Sequence, residues 1–241
     1  MKYFQKVFYI LVIGVVLAAV FVYLYFPGFI PVFGKNETRP TFVIDPGHGG
    51  ADGGAVAADG TLEKDLNLQI ANSLTQLLVL YGHNTAQTRD SDAIDYPDAA
   101  KSIRQKKVYD TKNRVRFTGE KQNPVFISLH LNTYPSPQYF GPQVFFSKNN
   151  PQGKELAGQI QQSLKNTGLD SASRVIKQAP KGVYLMDNLH CPAVIVECGF
   201  LTNPAELGLL KQPSHQKELA IAVFLAAREY QARVLTNATL E

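Results

Sequence analysis

The chain has 241 residues, and its 45% hydrophobic and 18% charged content is ordinary for a globular protein. A net charge of +4 is too weak a basic excess to indicate a nucleic-acid partner. Cys191 and Cys198 are the only cysteines, so a fold built on disulfides is excluded.

The first predicted element is a membrane-spanning helix. Residues 7–26 carry no charge, and at a rise of about 1.5 Å per residue they span about 30 Å, the hydrocarbon thickness of a bilayer. Because Lys2 and Lys6 precede this run, the positive-inside rule predicts that residues 1–6 are a cytoplasmic tail and that the rest is outside. A cleaved signal peptide is the alternative, but bulky residues occupy positions 23–26, where cleavage needs small ones. An uncleaved anchor is therefore expected.

The exported part is predicted to form one domain. Residues 27–40 contain three prolines and two glycines, which is typical of a stalk. No repeat, low-complexity tract or second linker follows, so residues 41–235 are interpreted as a single catalytic domain and residues 236–241 as a tail.

Strand-like and helix-like stretches alternate along this domain. Apolar and β-branched runs predict strands over 41–45, 84–88, 124–129, 141–147, 182–186 and 193–198. Helical spacing or a polar helix-forming composition predicts helices over 62–80, 99–119, 153–167 and 216–234, and Thr61 is the expected N-cap of the first. This alternation implies an α/β fold with a mostly parallel central sheet flanked by helices.

Three polar residues lie at or just beyond the ends of predicted strands. They are His48, in a glycine-rich turn, His130, after a buried strand, and Glu197, which interrupts an apolar run. Glu63 lies in the first turn of the helix that follows the first strand. Because ligands of open α/β sheets bind at the carboxyl ends of strands, we expect these four side chains to form one cluster.

The four side chains together indicate a site for one zinc ion. Two histidines and a carboxylate, here His48, His130 and Glu63, can hold zinc and leave one position open for water. Glu197 can take a proton from that water, and a carboxylate within a buried strand costs several kcal/mol unless it has such a role or a partner. The pattern therefore indicates metal-assisted hydrolysis. Asp45, which ends the first strand, is expected to orient a ligand.

Each ligand candidate also has an interpretation without metal. His48 could be a surface loop histidine, His130 a hydrogen-bonded core histidine, and Glu63 an acid that interacts with a helix dipole. Their convergence at one edge of the sheet favours a metal site over three unrelated roles. A divalent ion other than zinc stays open as an alternative.

The remaining titratable residues show no matching pattern. His83 and His215 are interpreted as surface or capping residues, and His190, close to the last strand, is the reserve candidate for the site. Cys198 is expected to face the core, because it alternates with the glutamate before it. The basic residues between positions 101 and 116 are interpreted as a solvated helix face, with contact to an anionic polymer as the alternative.

Seven motifs carry a family resemblance. In chain order they are DPGHGGADGGAV, LEKDLNLQIA, TRD, NRV, ISLHLN, GPQVFF and VIVECGFLTNPAE, and together they span the predicted domain. In type and order they resemble the zinc-dependent N-acetylmuramoyl-L-alanine amidases of the type-3 amidase family. The resemblance implies hydrolysis of the amide between N-acetylmuramic acid and L-alanine in peptidoglycan. It also implies that His48, Glu63 and His130 are the zinc ligands and that Glu197 is the catalytic residue.

The resemblance extends to residues around the site. Arg114 matches an arginine that is common in the family, although its role does not follow from sequence. Asn132 is a candidate for substrate contact, and Leu131 stands where the family usually has a small residue, which would narrow the pocket floor. Only about ten residues separate Asn132 from Gln143, so no helical insert that blocks the site is expected.

The anchor, the short connection after His130 and the ECGF motif are most similar to amidases that spore-forming bacteria use on cortex peptidoglycan. There, removal of the stem peptide prepares muramic-δ-lactam, and a partner lipoprotein can be needed for activity. The resemblance thus implies peptidoglycan as substrate and an activating lipoprotein as partner. It also implies a membrane-anchored protein whose catalytic domain lies on the cell-wall or cortex side.

Two other functions stay open. One is a zinc-dependent cell-wall peptidase that cuts within the stem peptide, because the same site chemistry would serve it. The other is a non-catalytic peptidoglycan-binding or scaffolding domain. Loss of Glu197 would mark such a domain, and Glu197 is present.

Overall fold

The computed structural model describes residues 2–25 and 39–238, and the chain divides into two units, Met1–Lys35 and Asn36–Glu241. The first unit contains helix α1 (Lys2–Tyr25). A search of the described residues finds no helix whose length and apolarity would let it cross a bilayer. Most of the predicted stalk, the last residue of the predicted anchor and the end of the predicted tail lie outside the described residues. The predicted domain boundaries stay predictions.

A single sheet runs through the second unit. Its strands are β1 (Thr41–Pro46), β2 (Asn84–Gln87), β3 (Pro124–Asn132), β4 (Gln143–Phe146), β5 (Lys177–Gln178) and β6 (Ala193–Phe200). Their order across the sheet is β2-β1-β3-β6-β4-β5. All neighbouring strands run parallel except β4 and β6, which are antiparallel. The prediction of a mostly parallel α/β fold is confirmed.

Helices cover both faces of this sheet. They are α2 (Glu63–Leu80), α3 (Ile103–Gly119), α4 (Pro151–Asn166), α5 (Tyr184–Asn188), α6 (Pro204–Leu210) and α7 (Pro213–Ala238). The large hydrophobic core joins the sheet to α2, α4, α6 and α7, whereas a smaller core joins it to α3 and α5. Two buried faces explain why the strands read as nearly continuous apolar runs in the sequence.

Successive residues of the central strands alternate between the two cores. Phe42 and Ile44 of β1 lie in the large core, and Val43 between them lies in the small one. In β6, Cys198 is buried in the large core, as expected, and Ile195 belongs to the small core. This alternation places Glu197 on the face that also carries α3 and α5.

Three segments differ from prediction in kind, and one of them is the two-residue strand β5, which was not predicted. Residues 182–186 were predicted as a strand, but residues from Tyr184 onward form helix α5. Gly182 adopts a φ of +97°, and its backbone N–H donates to the Asp187 carboxylate at 2.8 Å, which closes a turn that a strand cannot make. Helix α6 was not predicted. The Asn203 side chain caps it by accepting hydrogen bonds from two backbone N–H groups of its first turn.

The four predicted helices also begin at other residues than predicted, at Glu63, Ile103, Pro151 and Pro213. Thr61 is not the N-cap of α2, because Leu62 occupies that position and offers no capping side chain. Helix α3 begins at Ile103, later than predicted. Ser102 accepts a hydrogen bond from the Gln105 backbone N–H while the Gln105 side chain accepts one from the Ser102 backbone, so this capping box fixes the start.

Candidate functional site

The carboxyl-terminal edge of the sheet brings the four predicted side chains together. His48 follows β1 and Glu63 is the first residue of α2. Strand β3 extends further than predicted, so His130 lies within it rather than beyond it, and Glu197 lies within β6. These two residues are direct partners in the parallel register, which places them side by side.

Three of these side chains form a cluster that could hold a metal ion. The ligand atoms of His48, Glu63 and His130 all lie within 4.8 Å of one another. His48 Nε2 is 3.2 Å from Glu63 Oε2, and His130 Nδ1 is 3.0 Å from Glu63 Oε1. Two imidazoles and one carboxylate suit zinc and related transition metals.

Two glycines make the approach of these ligands sterically possible. A Cβ atom at Gly47 would lie 2.3 Å from His130 Nε2. A Cβ atom at Gly54, where φ is +69°, would lie 2.7 Å from Glu63 Oε2 and 2.7 Å from His48 Cδ2. The two positions therefore need glycine for close packing against the cluster, and Gly54 also needs it for its backbone conformation.

Glu63 is held in its ionised form. Its carboxylate accepts hydrogen bonds from the backbone N–H groups of Ala55 at 2.9 Å and Leu131 at 3.1 Å, and from the Asn67 amide at 3.3 Å. Burial opposes ionisation, but hydrogen bonds to the two imidazoles outweigh burial and hold the pKa of Glu63 well below its usual range.

Asp52, which was not among the residues predicted from sequence, forms a hydrogen bond with the second ring nitrogen of His48. The distance from His48 Nδ1 to Asp52 Oδ2 is 2.8 Å. Burial lowers the pKa of His48, but the hydrogen bonds to Asp52 and Glu63 prevail and raise it to about 9. Such a partner orients a ligating imidazole and fixes its tautomer. The signal that could have found Asp52 is a carboxylate four residues after His48 in a glycine-rich turn.

Glu197 lies beside this cluster without a bonding partner. Among the described residues, none makes a hydrogen bond with its buried Oε2 atom. Desolvation by burial raises the pKa of Glu197 to about 7. An orphaned carboxylate oxygen with that pKa is suited to accept and return a proton near neutral pH.

Arg114 and Arg89 hold the loop that carries His48. Arg114 donates to the backbone carbonyls of Pro46, at 2.8 Å, and His48. Arg89 Nε donates to the same two carbonyls, at 3.1 Å to Pro46 and 2.7 Å to His48. His48 has a φ of +61°, a conformation that is strained for a residue with a side chain. The structure thus gives Arg114 the role that its sequence context left open.

Asp45 acts on this loop rather than on a ligand directly. Its buried carboxylate accepts hydrogen bonds from Thr88 and Ser128, each at 2.6 Å, and from Arg114 at 2.7 Å. Burial raises the pKa of Asp45, but Arg114 and the two hydroxyls outweigh burial and lower it below its usual value. The predicted orienting role is therefore indirect, because Asp45 fixes Arg114 and Arg114 fixes the backbone of His48.

The other histidines lie apart from the cluster. His83 Nδ1 is 3.0 Å from the Gln231 side chain, and His215 lies 3.6 Å from Glu218. His190, the reserve candidate, is exposed and does not belong to the group of possible metal ligands.

A cavity of about 480 Å³ extends from the cluster between α3 and residues 182–185. His48, His130 and Glu197 line one part of it. Asn132 does not line it, so its predicted contact with substrate stays a prediction. The Leu131 side chain lies in the large core, so the expected narrowing of the pocket floor is wrong. A cavity of this size suits one segment of a larger substrate.

Comparison with known proteins identifies the family. The Amidase_3 family, described as N-acetylmuramoyl-L-alanine amidase, matches residues 42–229. The germination-specific N-acetylmuramoyl-L-alanine amidase of Bacillus subtilis (strain 168) is 34% identical over 204 residues, which are 85% of this chain and 83% of that protein.

Solved structures agree with this match. The CwlD amidase from Clostridioides difficile, determined in complex with the GerS lipoprotein, has a TM-score of 0.75 and 35% identity, over 80% of this chain and 98% of that one. The amidase AmiC2 of Nostoc punctiforme has a TM-score of 0.68 and 26% identity, over 82% of this chain and 98% of that one. The chain therefore belongs to the N-acetylmuramoyl-L-alanine amidase family.

Proposed function

We propose that this protein is a zinc-dependent amidase that hydrolyses the bond between N-acetylmuramic acid and L-alanine in peptidoglycan. Membership of the family supports the reaction. The observation that carries the proposal is the buried Oε2 atom of Glu197, which has no hydrogen-bond partner among the described residues, beside three side chains that could hold one metal ion.

The ligand cluster fits zinc by its donor set and by its packing. His48, Glu63 and His130 would hold the ion, and the glycines at positions 47 and 54 leave room for the close approach of these side chains. When bound, zinc supplies a Lewis acid that polarises the substrate carbonyl and acidifies water. Asp52 would keep the ring of His48 oriented for this role.

Glu197 moves the proton in the proposed mechanism. Its free Oε2 accepts the proton of the attacking water and returns it to the nitrogen of the departing L-alanine. Its burial supports this role, because a desolvated carboxylate with a pKa of about 7 exchanges a proton readily at neutral pH.

Product analysis tests the reaction. Full-length, zinc-loaded protein in detergent is incubated with purified peptidoglycan, and soluble products are identified by mass spectrometry. The amidase releases stem peptides that begin with L-alanine. Fragments cut within the stem peptide would instead establish a cell-wall peptidase. Tight binding without any product, even after the lipoprotein partner is added, would establish a binding or scaffolding domain.

The same proposal includes a membrane anchor at residues 7–26, with the catalytic domain on the cell-wall or cortex side. Three features support it: the absence of charge in this run, the two lysines before it, and the helical conformation of Lys2–Tyr25. Membrane fractionation and N-terminal sequencing of the native protein test it. Loss of the first 26 or more residues would refute the anchor.

A role in the spore cortex, with an activating lipoprotein, completes the proposal. It is supported by similarity to a germination-specific amidase and to an amidase solved with a lipoprotein. Deletion of the gene is expected to abolish muramic-δ-lactam in the cortex, and a normal content would exclude the cortex role. Stimulation by a co-purifying lipoprotein is the expected result for the partner, and full activity of the isolated protein would exclude the need for one.

A further inference from the structure

Helix α3 presents a basic face to the cavity that leads from the candidate metal centre. The residues of this helix that line the cavity lie together on one side of the helix. They are Arg104, Lys107, Val108, Asp110, Thr111, Lys112 and Arg114. From sequence, the basic residues of this region were interpreted as a solvated face. The structure shows that several of these basic residues, although exposed to solvent, border the open cavity beside the site.

Some of the charged side chains that line this cavity form ion pairs with one another, and others do not. Arg114 forms ion pairs with Asp45 and Asp110, and Lys107 Nζ lies 3.0 Å from Asp52. Three of the cavity's acids are thereby matched within the protein.

Two cations remain unmatched. Arg104 and Lys112 line the cavity, and neither side chain forms an ion pair or hydrogen bond with any described residue. The opposite wall includes the apolar side chains of Val183, Leu185 and Ile195, which offer no countercharge. The candidate catalytic residues therefore lie at one end of the cavity, and the positive charges of Arg104 and Lys112 along its wall have no countercharge among the described side chains.

The spacing of these cations matches the length of a short peptide. At about 1.5 Å per residue, Lys112 lies about 3 Å and Arg104 about 15 Å along the helix axis from Arg114, which contacts the loop of His48. An extended chain advances about 3.3 Å or more per residue, so three to four residues cover this range.

We infer that Arg104 and Lys112 bind carboxylates of the stem peptide and make the protein selective for an acidic peptide on the leaving side of the scissile amide. This inference rests on the proposed function, because it places the peptide's first residue at Glu197 and the rest along α3. Carboxylates along the peptide would then meet the two unpaired cations, and the apolar wall would contact its aliphatic parts. Arg104 is the stronger candidate for a bidentate contact.

The test compares two synthetic N-acetylmuramoyl tetrapeptides, one with free side-chain and terminal carboxylates and one with all of them amidated. The zinc-loaded, full-length protein is expected to show a kcat/KM about fivefold higher for the acidic substrate. The double variant Arg104→Gln, Lys112→Gln should reduce this ratio to about one. High salt should also reduce it, because exposed charges are screened.

Lys101→Gln, Arg116→Gln is the matched control, because it removes the same charge from the same region without touching the cavity lining. The control should keep the preference of the wild type. An unchanged ratio in the Arg104, Lys112 variant, or an equal loss in the control, would overturn the inference.

Direct binding separates this inference from the proposed reaction. Calorimetry measures the affinity of the full-length protein for the free acidic tetrapeptide and for its amidated form. If no amide is cleaved but the acidic peptide binds more tightly through Arg104 and Lys112, the reaction fails and the inference stands. If amides are cleaved and both peptides bind equally, the reaction stands and the inference fails.

Discussion

Burial and the absence of a partner define what Glu197 can do. Surface carboxylates are stabilised by water, but Glu197 Oε2 is enclosed and makes no hydrogen bond with the described residues. Glu63, at the start of α2 in the neighbouring cluster, is surrounded by donors and stays ionised. Two neighbouring glutamates thus acquire different protonation behaviour from their surroundings alone, which is the arrangement expected for one ligand and one general base.

Substitution Glu197→Gln is expected to lower kcat by about 10²-fold to 10⁴-fold while the protein retains zinc. The amide keeps the size of the side chain but cannot accept the proton. Zinc content by mass spectrometry and peptide release measure the two effects, and Glu155→Gln, at an exposed position near the start of α4, is the control. A variant that loses zinc together with activity would show that Glu197 is a ligand instead.

The pH dependence of peptide release provides a second check on Glu197. The general base works only when deprotonated, so kcat should fall as the pH decreases through its pKa. That pKa is about 7 without metal, and a bound cation favours the carboxylate, so the acid limb should lie at or below pH 7. A kcat that rises on acidification would contradict the assignment.

Substitution Gly54→Ala is expected to reduce zinc affinity by tenfold or more. The new Cβ would lie 2.7 Å from Glu63 Oε2 and His48 Cδ2, so both ligands must move. Gly60→Ala is a matched control, because Gly60 has a similar φ of +87° but no atom within 4 Å. Both variants should lose about 1 kcal/mol of stability from backbone strain, and only the first should lose zinc. Equal zinc affinity in both would show that the close packing is unimportant.

The loop between β1 and α2 depends on α3 for its shape. Arg114 reaches from the helix to Asp45, Pro46 and His48, so a single side chain joins a buried strand end to a metal-ligand candidate. A buried ion pair contributes little net stability over an apolar replacement, but breaking it leaves a buried charge. The arrangement therefore makes the loop conformation sensitive to one residue.

Substitution Arg114→Gln is expected to lower the free energy of unfolding by about 3–5 kcal/mol, because Asp45 is left buried without its cation. Urea denaturation measures this loss. Arg116→Gln, two residues along and exposed, should change stability by less than about 1 kcal/mol. A similar small loss for both arginines would contradict the proposed role of Arg114.

Acid unfolding should report the same interaction. The pKa of Asp45 is lowered in the folded protein, so this carboxylate stabilises the fold above its unfolded pKa and loses that effect as the pH falls through its folded pKa. Removing Arg114 raises the folded pKa, so the variant should unfold at a higher pH than wild type. Identical acid transitions would exclude this linkage.

The elements that the sequence predicts well are those with a repeating pattern. Strands β1, β3 and β6 are apolar because both of their faces are buried, and α2 has a clear helical period. The run 182–186 is short and apolar, and such a run has no period that separates a strand from a helix. The turn bonded to Asp187 decides its conformation, and this contact is not visible in the pattern.

The candidate site was predictable to a similar degree. His48, Glu63 and His130 converge because strand ends meet at one edge of a parallel sheet, although their role as zinc ligands stays a prediction. The bonds from Arg114 and Arg89 to backbone carbonyls were not predictable, because every residue has a carbonyl and none is marked in the sequence.

At the scale of the molecule, the second unit contains its own hydrophobic cores. Every described residue that belongs to these cores lies within Asn36–Glu241. We therefore expect the second unit to fold and to carry out the reaction without the proposed anchor.

Removal of residues 1–35 is expected to leave the melting temperature of the catalytic unit within a few degrees of the full-length value and to release the protein from membranes. Thermal unfolding and membrane fractionation measure the two effects. A large decrease in melting temperature would show that the catalytic unit needs the N-terminal unit for its stability. Continued membrane attachment would show a second attachment site.

Zinc titration of the metal-free, full-length protein tests whether metal binding at this site controls the reaction. Release of L-alanine-initiated stem peptide from peptidoglycan is followed as zinc is added, with bound zinc measured in parallel. We expect the rate to rise in proportion to bound zinc and to level off at one ion per chain, with His48→Ala, Glu63→Ala and His130→Ala each abolishing both signals. Release of the same peptide at full rate from protein without metal would contradict the zinc mechanism.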